Sequence, residues 1–162
     1  MSNQNVTKEE VSAAVDKYAD MVRRICFLYL RNHADVEDVF QEVFLKYFLN
    51  INSINDEEHL KAWLCRVTFN KCKDLSKSFW RKKVVSIENL EIPYEGMKEP
   101  DEIVKAVFQL PPEYKEVIYL HYYEDLTIPQ IAEIIQKNTN TVYTHLRRAK
   151  EILKKKRRDF DC

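Results

Sequence analysis

The sequence predicts an all-α protein built from two small helical domains. Gly96 is the only glycine among the 162 residues, and because glycine is unfavourable inside helices, its absence elsewhere favours a helical chain. Apolar residues recur at helical spacing on both sides of residues 84–100. No segment alternates polar and apolar residues over the length that a sheet requires.

Residues 84–100 interrupt the helical pattern. They contain Pro93, Gly96 and Pro100, few large apolar residues and an excess of acidic residues, which is typical of a flexible linker. The sequence is therefore divided into an N-terminal helical domain (1–83), an acidic linker (84–100) and a C-terminal helical domain (101–162).

The N-terminal domain is expected to contain three helices. Thr7 and Glu10 form a capping-box signal for the first, and the second starts near Asp35. Asn55 and Glu58 are the predicted cap of the third, which runs to about residue 80. The expected buried stripe of the second helix consists of Val36, Val39, Phe40, Val43, Phe44, Tyr47 and Phe48, and that of the third of Leu60, Leu64, Val67, Cys72, Leu75 and Phe79.

The C-terminal domain contains a predicted helix-turn-helix. Its four helices are expected at about residues 102–109, 113–123, 127–136 and 139–157, and the last two form the motif. Thr127 and Gln130 form a capping box for the first helix of the motif, with Pro129 in its first turn. Thr139 or Asn140 is the predicted cap of the second, whose apolar stripe is Val142, Leu146, Ala149 and Leu153.

The last helix leaves amide, hydroxyl and guanidinium groups outside its apolar stripe. A helix with one buried stripe and such groups opposite can enter the major groove of DNA. The candidate reading residues are Asn140, Thr141, Tyr143, Thr144, Arg147 and Arg148. The alternative is a helical hairpin with a basic, solvated face.

Two further surfaces lie on helices of the N-terminal domain. The third helix carries a second stripe that can meet phosphates, base edges and unpaired bases, namely Trp63, Arg66, Asn70, Lys73 and Lys77. The alternative is a solvated basic face with Trp63 half-buried. The second helix exposes an acidic strip that suits a protein partner, Asp38, Gln41, Glu42 and Leu45; the alternative is plain solvated surface.

The charge distribution supports nucleic-acid binding although the formal net charge is zero. Residues 61–83 carry eight basic residues against Asp74 alone, and residues 137–162 carry nine against three acidic ones. Two basic blocks separated by acidic ones indicate two phosphate-facing surfaces and at least one protein-facing surface.

Composition also bounds the location and chemistry of the protein. No apolar run reaches 18 residues and the start has no signal-peptide pattern, so we expect a cytoplasmic protein. The four cysteines form no CxxC pair. Cys26, Cys65 and Cys72 lie within helical patterns and are expected to be reduced core residues, with a disulfide or metal site as the alternative. We expect no cofactor and no metal.

Several segments resemble the small extracytoplasmic-function sigma factors of bacterial RNA polymerase. Residues 35–46 resemble the polymerase-binding helix of that family, and residues 60–75 resemble the helix that reads and helps to melt the minus-ten promoter element. Residues 110–118, 131–134 and 141–149 resemble its fourth conserved region, which reads the minus-thirty-five element. Together these segments cover most of residues 15–155 in the order of the family.

The resemblance implies a role for each surface. Asp38, Gln41, Glu42 and Leu45 match the face that docks on core RNA polymerase. Arg66, Asn70 and Lys73 match the minus-ten reading face, and residues 52–55 match the loop that pockets an extruded base. The six candidate reading residues of the last helix match the minus-thirty-five recognition helix. The implied partners are core RNA polymerase and promoter DNA, without a small-molecule substrate, and the family is commonly inhibited by an anti-sigma protein.

One departure from the family concerns the turn of the helix-turn-helix. The family usually has glycine where this chain has Gln136. Because a non-glycine residue at positive φ costs roughly 1 kcal/mol, the sequence favours a reshaped turn.

Two other functional classes compete with an initiation factor. A stand-alone helix-turn-helix regulator usually dimerises to match two half-sites, but the sequence shows no dimerisation heptad. An enzyme is disfavoured because the four histidines are scattered and a chain with one glycine has neither a phosphate loop nor a dinucleotide fingerprint.

Overall fold

The structure is a computed structural model that describes residues 2–30, 32–82 and 102–161, with side chains described for residues 8–30, 32–75 and 105–156. Every regular element within these ranges is helical, so the all-α prediction is confirmed. The elements are α1 (Ser2–Phe27), α2 (His33–Asn50), a one-turn 3-10 helix (Ile51–Ser53), α3 (Glu57–Lys82), α4 (Glu102–Phe108), α5 (Pro112–Tyr122), α6 (Ile128–Ile135) and α7 (Thr139–Asp161).

The first compact unit contains α1, α2 and α3, which pack against one another in pairs. Its core is aliphatic and aromatic, and it includes fully buried Val22, Ile25, Val36, Leu64 and Phe69. Burial of each such side chain stabilises the unit by about 1.5–3 kcal/mol. The rigid core therefore fixes the outward faces of α2 and α3 relative to each other.

Polar contacts join α1 to its two neighbours at the edge of this core. The Nε of Arg23 donates to Oε1 of Glu37 at 3.0 Å, and the guanidinium carbon lies 4.1 Å from the ring centroid of Phe40 on α2. The hydroxyl of Tyr18 donates to Oε2 of Glu57 at 2.7 Å at the start of α3. This hydrogen bond is the main cause that lowers the pKa of the Glu57 carboxyl, and a bond from Lys17 acts in the same direction.

The structure corrects three predicted helix starts in this unit. The first helix already runs from Ser2, so Thr7 lies inside it and does not cap it. Asn32 caps α2 through a 2.8 Å hydrogen bond from the backbone N–H of Asp35. At α3, Asp56 and not Asn55 supplies the capping oxygen, which accepts from the backbone N–H of His59 at 2.7 Å.

The buried stripes of α2 and α3 agree only in part with the predicted ones. In α2, Val36, Val39, Val43, Phe44 and Tyr47 are buried, but Phe40 is half-buried and Phe48 is 46% exposed. The prediction of Phe48 as a core residue is therefore wrong, since Phe48 lies on the outer side of the last turn of α2. In α3 the expected Leu60, Leu64 and Cys72 are buried, and Val67 and Leu75 are half-buried. The predicted stripe omitted buried Thr68 and Phe69, whereas Cys65 is buried as the cysteine prediction expected. The side chain of Phe79 lies outside the described residues.

The second compact unit contains α4 to α7 and is organised around α5. Six consecutive residues of α5, from Lys115 to Leu120, are buried, because α4, α6 and α7 all pack on this helix. At the far end of α7, Nζ of Lys156 donates to Oε1 of Gln109 beyond α4 at 2.7 Å. The unit thus holds both ends of the described part of α7 against the same core.

The expected linker over residues 84–100 lies outside the described residues, as do the side chains of Lys77 and Cys162. The described cysteines, Cys26, Cys65 and Cys72, are buried as reduced thiols in the core of the first unit, as expected. No helix among the described residues is long and apolar enough to cross a membrane.

Candidate functional site

The helix-turn-helix is formed by α6 and α7 and is defined by hydrogen bonds at the ends of its helices. Thr127 and Gln130 form the predicted capping box: the backbone N–H of Thr127 donates to Oε1 of Gln130 at 2.9 Å, and the backbone N–H of Gln130 donates to Oγ1 of Thr127 at 3.3 Å. Pro129 lies in the first turn of α6, as predicted. The start of α6 is therefore specified by residues within its own first turn.

The turn after α6 keeps the left-handed geometry that usually requires glycine. Gln136 has φ 57° and ψ 46°, and the backbone N–H of Lys137 donates to the carbonyl of Ala132 at 3.1 Å. This six-to-one bond is typical of a Schellman end. The sequence favoured a reshaped turn at Gln136, and the structure does not have one, because this bond and the packing of α6 on α7 offset the steric cost.

The recognition helix α7 is capped by Asn138. Its Oδ1 accepts from the backbone N–H of Thr141 at 2.7 Å, whereas Thr139 is already the first residue of the helix. The predicted cap at Thr139 or Asn140 is therefore wrong by one or two residues. Since Asn138 follows Gln136 by two positions, turn and cap together set the direction in which α7 leaves the motif.

The candidate reading residues lie outside the buried stripe of α7. Val142, Leu146 and Ala149 are buried, and Leu153 is half-buried. Asn140, Tyr143, Arg147 and Arg148 are exposed, while Thr141 and Thr144 are half-buried. A polar face with two guanidinium groups is thus available to a groove of DNA.

Two charged or titratable neighbours modify this face. Nη1 of Arg147 donates to Oε1 of Glu151 at 3.3 Å, a contact that the sequence analysis did not identify. His145 lies at the edge of the face, with its ring 5.3 Å from that of Tyr114 and with its Nδ1 buried without a hydrogen-bond partner. Burial, and then the charges of Lys137 and Arg148, lower the pKa of the His145 imidazole, whereas Glu113 opposes this shift.

The second stripe of α3 is only partly free. Asn70 is exposed, and Arg66 and Lys73 are half-buried. Trp63 is half-buried because its ring packs 6.3 Å from that of Tyr47 on α2. One part of the Trp63 ring therefore faces the core and the remainder faces solvent. This agrees with the alternative in which Trp63 is half-buried.

The predicted strip on α2 is exposed along its length, and the structure extends it. Asp38, Gln41, Glu42 and Leu45 are all exposed, and Leu49, which is 70% exposed, lies one turn beyond Leu45. The acidic half of the strip thus continues into an apolar half. The helical pattern did not indicate this extension, because it predicted Phe48 as a core residue and gave Leu49 no role.

Glu42 also contacts the neighbouring helix. Its Oε2 lies 2.6 Å from Nζ of Lys71 on α3, and both side chains are substantially exposed. An exposed pair of this kind contributes about 0–1 kcal/mol. Glu42 is therefore accessible to a partner that competes with Lys71.

The loop between α2 and α3 contains the 3-10 helix and exposes Asn52, Ser53 and Asn55. Oγ of Ser53 donates to the carbonyl of Asn50 at 2.8 Å, and the backbone N–H of Asn55 contacts Nδ1 of His59 at 3.3 Å.

Among the described residues, no group of three or more His, Cys, Asp or Glu side chains could hold a metal ion.

Comparison with known proteins places both units in one family. The sigma-70 region 2 family matches residues 14–83, and the sigma-70 region 4 family matches residues 101–153. The RNA polymerase sigma factor SigV of Bacillus subtilis (strain 168) is 27% identical over 157 residues, which cover 95% of each chain. The ECF RNA polymerase sigma factor SigW of the same strain is 29% identical over 164 residues, covering 90% of this chain and 88% of SigW.

Solved structures share the fold at lower sequence identity. The sigma factor RpoE, solved in complex with the anti-sigma factor NepR from Bartonella quintana, has a TM-score of 0.74 at 18% identity, covering 91% of this chain and 96% of RpoE. CnrH, solved in complex with the cytosolic domain of CnrY, has a TM-score of 0.68 at 19% identity, covering 91% of this chain and 86% of CnrH. Because both sigma-70 regions match in order and similarity to ECF relatives extends over 90% or more of the chain, this protein belongs to the extracytoplasmic-function sigma factors, which are not enzymes and direct RNA polymerase to promoters.

Proposed function

We propose that the three surfaces divide the work of promoter recognition. In this proposal, the polar face of α7 reads the minus-thirty-five element, the stripe of α3 reads the minus-ten element, and the strip of α2 docks on core RNA polymerase. The observation that carries the proposal is the clean separation of α7 into buried Val142, Leu146 and Ala149 and exposed Asn140, Tyr143, Arg147 and Arg148.

The role of α3 is supported by the chemistry of its outer residues. The amide of exposed Asn70 can pair with a base edge, and the cations of Arg66 and Lys73 can meet phosphates on either side of it. The exposed part of the Trp63 ring can stack on an unpaired base. Lys77 follows on the same face by sequence spacing.

The role of α2 is supported by its combination of charge and exposed apolar surface. Asp38 and Glu42 can pair with a basic surface, and Leu45 and Leu49 can bury apolar area beside that pair. An exposed apolar residue flanked by charges is the composition expected at a protein interface with a polar rim. DNA is a poor ligand for this strip because the carboxylates would repel phosphates.

The domain boundaries and regulation are part of the same proposal. We assign residues 1–83 and 101–162 to the two reading modules and residues 84–100 to the segment between them, supported by sigma-70 matches that end at 83 and begin again at 101. We also propose that the protein acts in the cytoplasm, where polymerase and promoters are, and that an anti-sigma protein controls it. The similar fold of RpoE, solved in complex with the anti-sigma factor NepR, supports this last assignment.

Transcription by holoenzyme from promoter templates randomised separately in the two elements tests the division. Arg147→Ala is expected to lower selectivity in the upstream element, and Asn70→Ala in the downstream one, because each removes donors from one reading face. Lys154→Ala, which removes an exposed cation further along α7, serves as a matched control. Equal losses in both elements from either variant would contradict the proposal.

A further inference from the structure

Glu151 shares the exposed face of α7 with the reading residues. Because a helix repeats every 3.6 residues, positions four and seven apart lie on one face, so Glu151 is aligned with Arg147 and Thr144. Nη1 of Arg147 donates to Oε1 of Glu151 at 3.3 Å. The two side chains are 54% and 63% exposed, so the contact lies at the surface that would face DNA.

The position of this carboxylate is unfavourable for general reasons. In an i, i+4 pair, an acid N-terminal to the base supports the helix better than the reverse order, and here Arg147 precedes Glu151. A carboxylate on a DNA-facing helix also opposes the attraction between nearby cations, such as Lys154 and Lys155, and the phosphates. The acid therefore adds only a small stabilisation to the helix, and it lowers overall DNA affinity.

We propose that Glu151 is a positioning residue that orients Arg147 for base reading and so determines specificity in the upstream element. The inference rests on the proposed reading role of α7. An arginine carries five N–H donors, so one bond to Glu151 leaves donors for a bidentate contact to a guanine edge. The restrained guanidinium loses less rotamer freedom on binding a base. It also turns less readily towards a phosphate, and a phosphate contact would not depend on the base sequence.

Holoenzyme reconstituted from the full chain and core polymerase tests this inference on a promoter library randomised in the upstream element. Transcript sequencing gives the preferred bases, and binding to preferred and singly substituted duplexes gives a specificity ratio and a salt dependence. The variants are Glu151→Gln, Arg147→Ala and both together. Glu133→Gln removes an exposed acid from α6 and serves as a control of equal charge change.

Glu151→Gln is expected to strengthen binding to all sequences by about twofold to fivefold, because one opposing charge is lost. It is expected to lower the specificity ratio about threefold at the position read by Arg147, because the neutral amide oxygen of glutamine holds the guanidinium less strongly than the carboxylate does. Glu133→Gln is expected to leave the ratio unchanged. In the Arg147→Ala background, Glu151→Gln should have no further effect on the ratio.

Two outcomes overturn the inference and can be told apart. An unchanged ratio in Glu151→Gln, with a lowered ratio in Arg147→Ala, refutes the positioning role while leaving the reading role of Arg147 intact. An unchanged ratio in Arg147→Ala refutes both, because a residue that reads no base needs no orientation. Helical content and thermal unfolding of each variant, measured in parallel, establish that the folded chain is compared throughout.

Discussion

The side-chain oxygen of Asn138 accepts a hydrogen bond of 2.7 Å from the backbone N–H of Thr141, three residues into the recognition helix. This bond satisfies one of the N–H groups that every helix leaves unpaired at its start. Because Asn140, Thr141 and Tyr143 all lie in the first two turns of α7, the cap also holds the backbone that presents these residues.

Asn138→Ala is expected to destabilise the second unit by about 1 kcal/mol and to reduce use of the upstream promoter element. Asn138→Asp should retain most of the stability, since a carboxylate also accepts the bond. Thr139→Ala is the matched control and should have a smaller effect, because Thr139 is inside the helix. Urea unfolding followed by amide signals of α7 measures the difference, and a larger loss in Thr139→Ala would rule out the cap at Asn138.

Gln136→Gly is expected to stabilise the second unit by about 0.5–1 kcal/mol, because glycine adopts positive φ without the steric cost that glutamine incurs. The gain is reduced by the larger entropy of glycine in the unfolded chain. Glu133→Gly, inside α6, is the contrasting control and should destabilise by about 1 kcal/mol. A loss of stability in Gln136→Gly would indicate that the glutamine side chain contributes a contact that outweighs the backbone cost.

Leu49→Ser should weaken binding to core polymerase without lowering the stability of the first unit. The Leu49 side chain is 70% exposed, so it buries little apolar surface on folding. Glu42→Lys should weaken binding further through charge reversal. Lys71→Ala controls for the loss of the Glu42–Lys71 pair, and Asp16→Lys on α1 controls for net charge. Binding is measured by titration of labelled chain with core polymerase, and wild-type affinity in Leu49→Ser would exclude the apolar half of the strip from the interface.

Acidification should destabilise the second unit through His145. Burial lowers the pKa of this imidazole in the folded chain, so the unfolded chain binds the proton more readily. The contribution of His145 is therefore fully present above the unfolded pKa of about 6.5 and is lost as the pH falls towards the folded value. His145→Gln should remove this component, which is measured as the difference in unfolding free energy between pH 7.5 and 5.5, and identical pH dependence in both proteins would be inconsistent with it.

Tyr18→Phe should raise the pKa of the Glu57 carboxyl towards its ordinary range, because it removes the hydrogen bond that lowers it most. A depressed carboxyl pKa stabilises the fold above the unfolded pKa, and this stabilisation is lost as the pH falls through the folded value. Lys17→Gln should also raise the pKa, since Lys17 lowers it both through its hydrogen bond and through its charge. Carboxyl-carbon NMR titration measures both shifts, and an unchanged Glu57 pKa in Tyr18→Phe would contradict the assignment.

The helices of both units were largely predictable because their signals are local and repeated. The stripes Val36–Val39–Val43 and Val142–Leu146–Ala149 recur over two or more turns, and all of these residues are buried. The capping box at Thr127 was equally readable, because its two residues bond to each other within one turn.

The helix caps at Asn138 and Asp56 were predicted one or two residues away for a physical reason. Asn138, Thr139 and Asn140 can each cap a helix, as can Asn55 and Asp56, so composition alone does not decide among them. The decision depends on where the preceding backbone turns, and this follows from packing that the sequence does not reveal.

The exposure of the candidate reading residues was predictable from the sequence, but their contacts were not. Asn140, Tyr143 and Arg147 were identified as outward-facing by helical period alone, and all three are exposed. The pairing of Arg147 with Glu151 also has a helical spacing, but spacing alone does not show which of the neighbouring side chains forms the contact. The contacts Glu42–Lys71 and Trp63–Tyr47 join separate helices, so no local pattern could have indicated them.

The separation of α7 into a buried stripe and an exposed face has a consequence for how such proteins diverge. Val142, Leu146 and Ala149 hold the helix in place, while the neighbours that we propose to set base preference lie outside the core. Substitutions at Asn140, Tyr143 or Arg147 can therefore accumulate almost free of folding cost. A duplicated gene could acquire a new set of target genes through a few such changes, without altering the way its product is assembled.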